Sequence, residues 1–194
     1  MSVAPDSVAR EGGLPGWAVV GRKRLAHVER VVALVASWAE AMGVDAEERG
    51  RWLQAAWLHD ALRDADLETL RRDAGPLDGP EAFWHGPAAA ARAEREGVGD
   101  RGVLDAVRYH STGWAAWDRV GRVLYCADFL EPGRSFDSEA RAELARRFPG
   151  EPAAVLLEVA RRRLLHTIRS GWPIPQPTSH FWNALAADGS SAFR

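Results

Sequence analysis

Apolar residues recur at spacings of three and four along most of the chain, and nowhere alternate with polar ones for the length of a strand. Leu25, Val28, Val32, Val35, Ala39 and Met42 trace one face of a long helix that Gly43 stops. Asp45 is placed to cap a second helix, which carries Trp52, Leu53, Ala56 and Trp57 and runs to about Leu62. Asp66 to Arg72 predicts a short helix, and the Gly and Pro content of Ala74 to Pro80 a loop. Further helices are expected over Pro87 to Glu96, from Asp100 or Arg101 to Tyr109, over Ala115 to Leu130, from Ser135 or Asp137 to Arg147, and over Glu151 to Ser170. After Pro173, Pro175 and Pro177, a terminal helix is expected near Ser179 to Ala187. The fold class is all-α: a single helical bundle over residues 16–194 behind a flexible lead-in at residues 1–15.

Composition narrows what such a bundle does. The net charge of -2 argues against a protein that coats nucleic acid or binds an anionic membrane. A local basic pocket remains open to it. Of 25 Lys and Arg residues, only Lys23 is lysine, so an arginine at any one place carries little meaning by itself. Cys126 is the one cysteine, which rules out an intrachain disulfide and fits a reducing compartment. There is no apolar signal core at the N-terminus and no uncharged apolar run of ~20 residues. A cytoplasmic protein is expected, and a homodimer is compatible with everything in the sequence.

The chemistry lies in histidines and aspartates. Four of the six histidines, His27, His59, His85 and His110, fall at edges of predicted helices or loops. Asp60 adjoins His59, and Asp128 sits inside the apolar run Val123 to Leu130, where an unpaired buried carboxylate would cost several kcal/mol (about 3–5). Each is unremarkable when taken singly: His27 as a core or surface histidine, His59-Asp60 as a chance pair, His85 as a helix start, Asp128 as an arginine partner. Taken together on a helical background, they point to a metal site. The residues lie too far apart for a local motif and must converge from separate helices, as in bundle-core metal sites. Imidazole and carboxylate suit iron, manganese, cobalt or zinc better than calcium.

The order His27, His59-Asp60, His85, His110, Asp128 resembles the HD-domain metal-dependent phosphohydrolases. Within them the chain is most similar to the YqeK-type branch, the symmetrical bis(5'-nucleosyl)-tetraphosphatases. HGPAAA at His85, AVRYHSTGW around His110, LYCADFLEPGR around Asp128 and the tail PTSHFWNAL carry that resemblance. It extends over about Arg24 to Leu185. The resemblance implies a two-metal centre, iron first among the candidates. His27, His59, Asp60 and Asp128 would hold one ion and His85 and His110 the other, with Asp60 bridging. Two metals sharing a water lower its pKa towards neutrality, and the resulting hydroxide would attack a phosphorus.

Arg63 stands where relatives often carry lysine. It keeps the charge, adds a bidentate fork for phosphate, and is a candidate for both substrate binding and catalysis; its plain alternative is a solvated helix end. Asp64 is a proton-donor candidate, or a group behind the ligands, or the cap of the following helix. Thr112 and Gly113 resemble a nucleotide-approaching loop, or are a turn between helices. Arg134 is a phosphate-contact candidate, with Glu131 either orienting it or capping a helix. Arg108, within a helical turn of His110, is a substrate-contact candidate. His166 and His180 stay outside the metal set, and Trp38, Trp52 and Trp57 are expected in the core.

The function these features imply is metal-dependent cleavage of diadenosine tetraphosphate into two ADP, with the nucleotide as partner and neither nucleic acid nor membrane. The metal set alone supports only a phosphoester or phosphoanhydride hydrolase. The alternatives are a phosphatase for nucleoside mono-, di- or triphosphates, and a nucleotide-binding sensor without useful turnover. The Gly-Tyr-Pro signature of the cyclic-dinucleotide branch is missing.

Overall fold

Aspartate side chains set the start of four helices. In the computed structural model, which describes residues 13–75 and 79–188, the carboxylate of Asp45 accepts a hydrogen bond from the Glu48 amide, Asp66 from Thr69, Asp100 from Val103 and Asp118 from Val120. Each satisfies an amide that has no partner inside its own helix. These caps open α2 (Ala46–Leu58), α3 (Leu67–Ala74), α5 (Arg101–Tyr109) and α6 (Arg119–Leu130). The remaining helices are α1 (Arg22–Ala41), α4 (His85–Arg95), α7 (Ser138–Arg147), α8 (Pro152–Arg169) and α9 (Gln176–Asp188). A 3-10 turn, Glu81–Phe83, leads into α4. No strand occurs among the described residues, as the apolar periodicity predicts.

Four boundaries differ from the sequence expectation. The second helix ends at Leu58 rather than near Leu62. Beyond it, the amides of Ala61, Arg63 and Ala65 bond to the carbonyls of Leu58, Asp60 and Leu62, an i to i+3 pattern that tightens the chain. Ala61 and Leu62 are fully buried, so the apolar period runs on while the hydrogen-bond register changes. The fourth helix starts at His85, not Pro87, because proline is tolerated anywhere in a first turn. The sixth starts at Arg119, not Ala115, behind the Asp118 cap. The ninth starts at Gln176, not Ser179, with Pro177 in its first turn. Most of the expected lead-in, residues 1–12, and residues 76–78 of the expected loop lie outside the described residues.

The core runs through the middle of the bundle. α1 packs on α2 and α6, α2 also on α5 and α6, α4 on α3 and α5, and α8 on α6 and α9. Val31, Val35, Trp38, Trp52, Leu104, Val123, Leu124, Phe148 and Leu156 are at most 2% exposed. Trp38 and Trp52 are core residues as expected, while Trp57 is half-buried. Arg51 ties three helix starts together, bonding Glu48 in α2 and both cap residues Asp100 and Asp118. Arg141, buried in α7, donates to the carbonyls of Phe129 and Glu131 at the end of α6 and to that of Arg134. That guanidinium therefore shapes the turn at residues 131–136, which borders the site described next.

Candidate metal centre

Five helix ends and faces deliver the polar residues to one place. His27 comes from the core face of α1, one position before Val28. His59 is the C-terminal cap residue of α2, and Asp60 follows in the tightened turn. His85 is the first residue of α4, His110 caps the end of α5, and Asp128 lies near the end of α6. All six are buried, none more than 7% exposed.

Two ligand clusters share one carboxylate. Asp60 Oδ2 lies 3.6 Å from Nε2 of His27 and 3.6 Å from Nε2 of His59. Its Oδ1 lies 3.1 Å from Nε2 of His85 and 3.5 Å from Nε2 of His110. The imidazole pairs approach to 3.4 Å for His27 with His59 and 3.0 Å for His85 with His110. Asp128 Oδ1 lies beside the first cluster, 3.2 Å from Nε2 of His27, but Asp128 is not among the three residues whose donor atoms converge there. Each cluster, His27-His59-Asp60 and Asp60-His85-His110, offers three donor atoms close enough to hold one ion.

The outer partners fit that purpose. Nδ1 of His59 donates to the Ala56 carbonyl and Nδ1 of His110 to that of Val107, both at 2.8 Å. Donation from Nδ1 fixes the tautomer whose Nε2 lone pair points into the site. Nδ1 of His27 faces Glu131 Oε1 at 3.1 Å. Glu131 is further held by Arg30 and by the Gly133 amide. Nδ1 of His85 is buried without a hydrogen-bond partner, so this imidazole is the least restrained of the four.

Close packing sets the second cluster. A Cβ on Gly86 would stand 2.9 Å from the carbonyl oxygens of both Val107 and Arg108, and 3.3 Å from Cε1 of His110. Only glycine lets α4 approach α5 this closely, and that approach brings His85 to His110.

Charge follows geometry. Burial pushes the His59 imidazole down to about 4, and burial also lowers His85, so both stay neutral and able to ligate near neutral pH. The Asp60 carboxyl is opposed by burial, yet His59, His110 and His85 hold it well below the usual carboxylate range. Asp128 is held low against burial by Arg163, His27 and Arg134. His27 moves the other way: burial is outweighed by Asp128 and Glu131, and its pKa is raised. Glu131 itself falls to about 2.

A pH dependence of metal uptake follows. An imidazole must be neutral to ligate, and His27, the candidate ligand with the raised pKa, takes up a proton on acidification that metal binding would have to displace. Metal affinity of the first cluster is expected to fall by about one proton's worth, tenfold per pH unit, below the His27 pKa, and to level off above it. Glu131→Gln removes a carboxylate that raises that pKa, so the break moves to lower pH. Calorimetric titration of manganese between about pH 5 and about pH 8 reads both; a break that stays put or moves up in the variant contradicts the assignment.

The other sequence candidates are distributed unevenly. A cleft of about 410 Å³ opens beside His27, and Arg134 and Asp64 line it together with Lys23, Arg24, Arg30 and Glu131. Asp64 accepts a hydrogen bond from the Gly21 amide, which clips the chain before α1 to the turn after Asp60. It does not cap α3, a role that Asp66 fills. Arg134 donates to Asp128 Oδ1 at 2.8 Å, so the arginine-partner reading of Asp128 and its place beside His27 hold together. Arg63 is half-buried, and its charge adds to what burial does to His85. Arg108 is half-buried on α5. Thr112 and Gly113 form a turn on which α9 sits: the Thr178 hydroxyl donates to the Thr112 carbonyl, and Gly113, at φ +88, lies against Phe181. His166 and His180 are exposed.

Besides Gly86 and the cleft residues Lys23 and Arg30, sequence reasoning missed Arg24, Ser111 and Arg163. Arg24 Nη1 lies 2.7 Å from Asp60 Oδ2. Its position one turn before His27 on the same face would have revealed it. Ser111 Oγ is 3.0 Å from Nε2 of His110. Arg163 of α8 bonds Asp128 Oδ2 at 2.6 Å, and nothing in the run Arg161-Arg162-Arg163 sets it apart from its solvated neighbours.

Comparison with known proteins bears on the family of the chain. The HD domain family model matches residues 24–142. A symmetrical bis(5'-nucleosyl)-tetraphosphatase of Bacillus subtilis is 33% identical over 121 residues, 58% of this chain and 63% of that protein. Another, from Staphylococcus aureus, is 31% identical over 86 residues, 44% of each chain. The chain thus spans less than two thirds of the length of either relative. A crystal structure described as a predicted HD superfamily hydrolase involved in NAD metabolism, from Clostridium acetobutylicum, has the same fold, with a TM-score of 0.72 at 22% identity over 87% of this chain and 92% of that one. With the family model covering more than half its length and the histidines and aspartates meeting as described, the chain belongs to the HD domain family.

Proposed function

We propose that this protein hydrolyses dinucleoside tetraphosphates symmetrically, diadenosine tetraphosphate to two ADP. The observation that carries the reading is one carboxylate, Asp60, shared by two buried ligand clusters beside a cation-lined cleft. Both relatives named above carry the symmetrical activity in their names. Two divalent ions are the expected cofactors, iron first, with manganese, cobalt or zinc as alternatives that the donor set equally suits. When bound, they would supply an activated water near neutral pH and neutralise charge on the phosphoryl oxygens.

The chain's own residues do the rest. Lys23, Arg24, Arg30 and Arg134 present positive charge along the cleft to an anionic polyphosphate. Arg63 and Arg108 are candidates for the phosphates beyond the second cluster. Asp60 holds both clusters in register through one oxygen each. Asp64, exposed at the cleft and accepting from the Gly21 amide through Oδ2, is the candidate proton donor to a leaving phosphate. Substrates of this kind are small cytoplasmic nucleotides, and no helix among the described residues is long and apolar enough to cross a membrane.

The test is a screen of the metal-loaded protein against diadenosine tetraphosphate, ATP, ADP and AMP, with products separated by chromatography. The reading expects the dinucleotide to give the highest kcat/KM and ADP as the sole product. ATP plus AMP, or faster release of phosphate from a mononucleotide, would replace it with the corresponding phosphatase.

A further inference from the structure

The residues matched by the HD domain family model end at 142, yet α8 and α9 lie beyond that point and reach back to the metal centre. Arg163 makes the central contact. Its Nη2 bonds Asp128 Oδ2 at 2.6 Å and its Nη1 bonds the carbonyl of His110 at 3.2 Å. One guanidinium therefore touches a ligand residue of each cluster: Asp128, which faces His27, and His110, which faces His85. The plane is held from another side by aromatic rings, its Cζ 4.3 Å from the centroid of Tyr125 and 5.6 Å from that of Phe129. A cation over the end of α5 also meets the negative end of that helix. Nearby, Thr178 and Phe181 of α9 seat the turn that follows His110.

We infer that Arg163 is a positioning residue for both metal clusters: it takes one oxygen of Asp128, turns the other towards His27, and fixes the backbone of His110, so the C-terminal helix pair completes the centre. Asp128 has two oxygens and two kinds of neighbour. Oδ2 belongs to Arg163, while Oδ1 is left facing His27 Nε2 at 3.2 Å with Arg134 beside it. Without Arg163 the carboxylate is held only through Oδ1, by Arg134 and His27, and Oδ2 is released to turn or to bind side-on. Arg161 and Arg162, its neighbours in the run, bond Glu158, and Arg162 also Asp137, away from the six residues of the centre.

The inference rests on the reading of the six ligands as a two-metal centre, and the test separates the two. Manganese is titrated calorimetrically into wild type, Arg163→Met and Arg163→Lys, with circular dichroism and thermal melts alongside. Wild type taking up fewer than two ions overturns the metal reading, and this inference with it. With two ions in wild type, Arg163→Met is expected to bind the first of them roughly 10–100-fold more weakly, the usual cost of losing an outer partner, at unchanged helicity. Electron paramagnetic resonance is expected to change from a coupled pair to an isolated ion. The sign discriminates. If Arg163 acted only as a positive charge near the metals, its removal would tighten binding, so equal or tighter binding overturns the inference. Should Arg163→Met fail to fold, Arg163→Lys carries the test. It keeps the charge but has no planar fork for two acceptors. Weaker metal binding at native helicity supports the inference; unchanged affinity overturns it.

Discussion

Asp60→Asn is expected to abolish both metal sites at once and lower kcat/KM by about a thousandfold or more, ~4 kcal/mol of transition-state stabilisation. The geometry shows why this residue stands apart. Each histidine serves one cluster, whereas Asp60 places Oδ2 with His27 and His59 and Oδ1 with His85 and His110. Loss of a residue that merely orients a ligand costs roughly 10–100-fold in metal affinity, and here a direct ligand is lost from two ions together. The helices are expected to survive. Asparagine has the same shape, and its carbonyl still accepts from Arg24, whose side chain is 28% exposed and free to turn to solvent. Plasma emission spectroscopy reads metal per chain and circular dichroism reads helicity. An Asp60→Asn protein that retains two ions would mean the carboxylate is not the bridge.

Gly86→Ala separates the clusters instead of deleting both. By helix propensity alone, alanine would stabilise α4 by about 1 kcal/mol. The methyl, however, meets two backbone carbonyls at 2.9 Å, and backbone does not yield as a flexible side chain would. Overpacking of this kind costs about 1–3 kcal/mol, so after the propensity gain the net loss is at most about 2 kcal/mol, read as a fall in Tm of no more than a few degrees at roughly 2–4 °C per kcal/mol. The functional effect is larger. Relief of the clash moves α4 off α5 and draws His85 away from His110, which is already the pair with an unpartnered Nδ1. The variant is expected to keep one ion at His27, His59 and Asp128, lose the other, and lose most turnover. Two ions at wild-type affinity would show that the α4–α5 approach does not set the second cluster.

These two positions mark how far the sequence could be read. The clustering was legible because histidine and aspartate on apolar helix faces are costly without a partner, which is why the sequence pointed to a shared centre that the structure now gathers in one place. The helices were legible from the period of three and four and from the aspartate cap at Asp45. The turn after Leu58 was not, because Ala61 and Leu62 keep the apolar period while the backbone tightens from one hydrogen-bond register to another. Gly86 gave no signal, since its role depends on carbonyls from α5 that are distant in sequence. The arginines were the hardest. With 24 arginines beside a single lysine, composition conceals which guanidinium is buried. Arg24, Arg30, Arg134 and Arg163 contact the acidic groups of the centre, while Arg146 and Arg161 only pair with glutamates on the surface.

The outer groups also indicate a division of labour between the two clusters. His27, His59 and Asp128 are each held by a second partner: Glu131, the Ala56 carbonyl and Arg163 respectively. On the other side only His110 is so held. The first cluster is accordingly the more rigid, which agrees with the expectation that Gly86→Ala spares it.

The central claim is that Asp60 bridges two ions. Anomalous diffraction from crystals of the protein grown with manganese tests it most directly. The account predicts two peaks, one among His27, His59 and Asp128 and one between His85 and His110, each touching a different oxygen of Asp60. A single peak, or two of which only one touches Asp60, would contradict it.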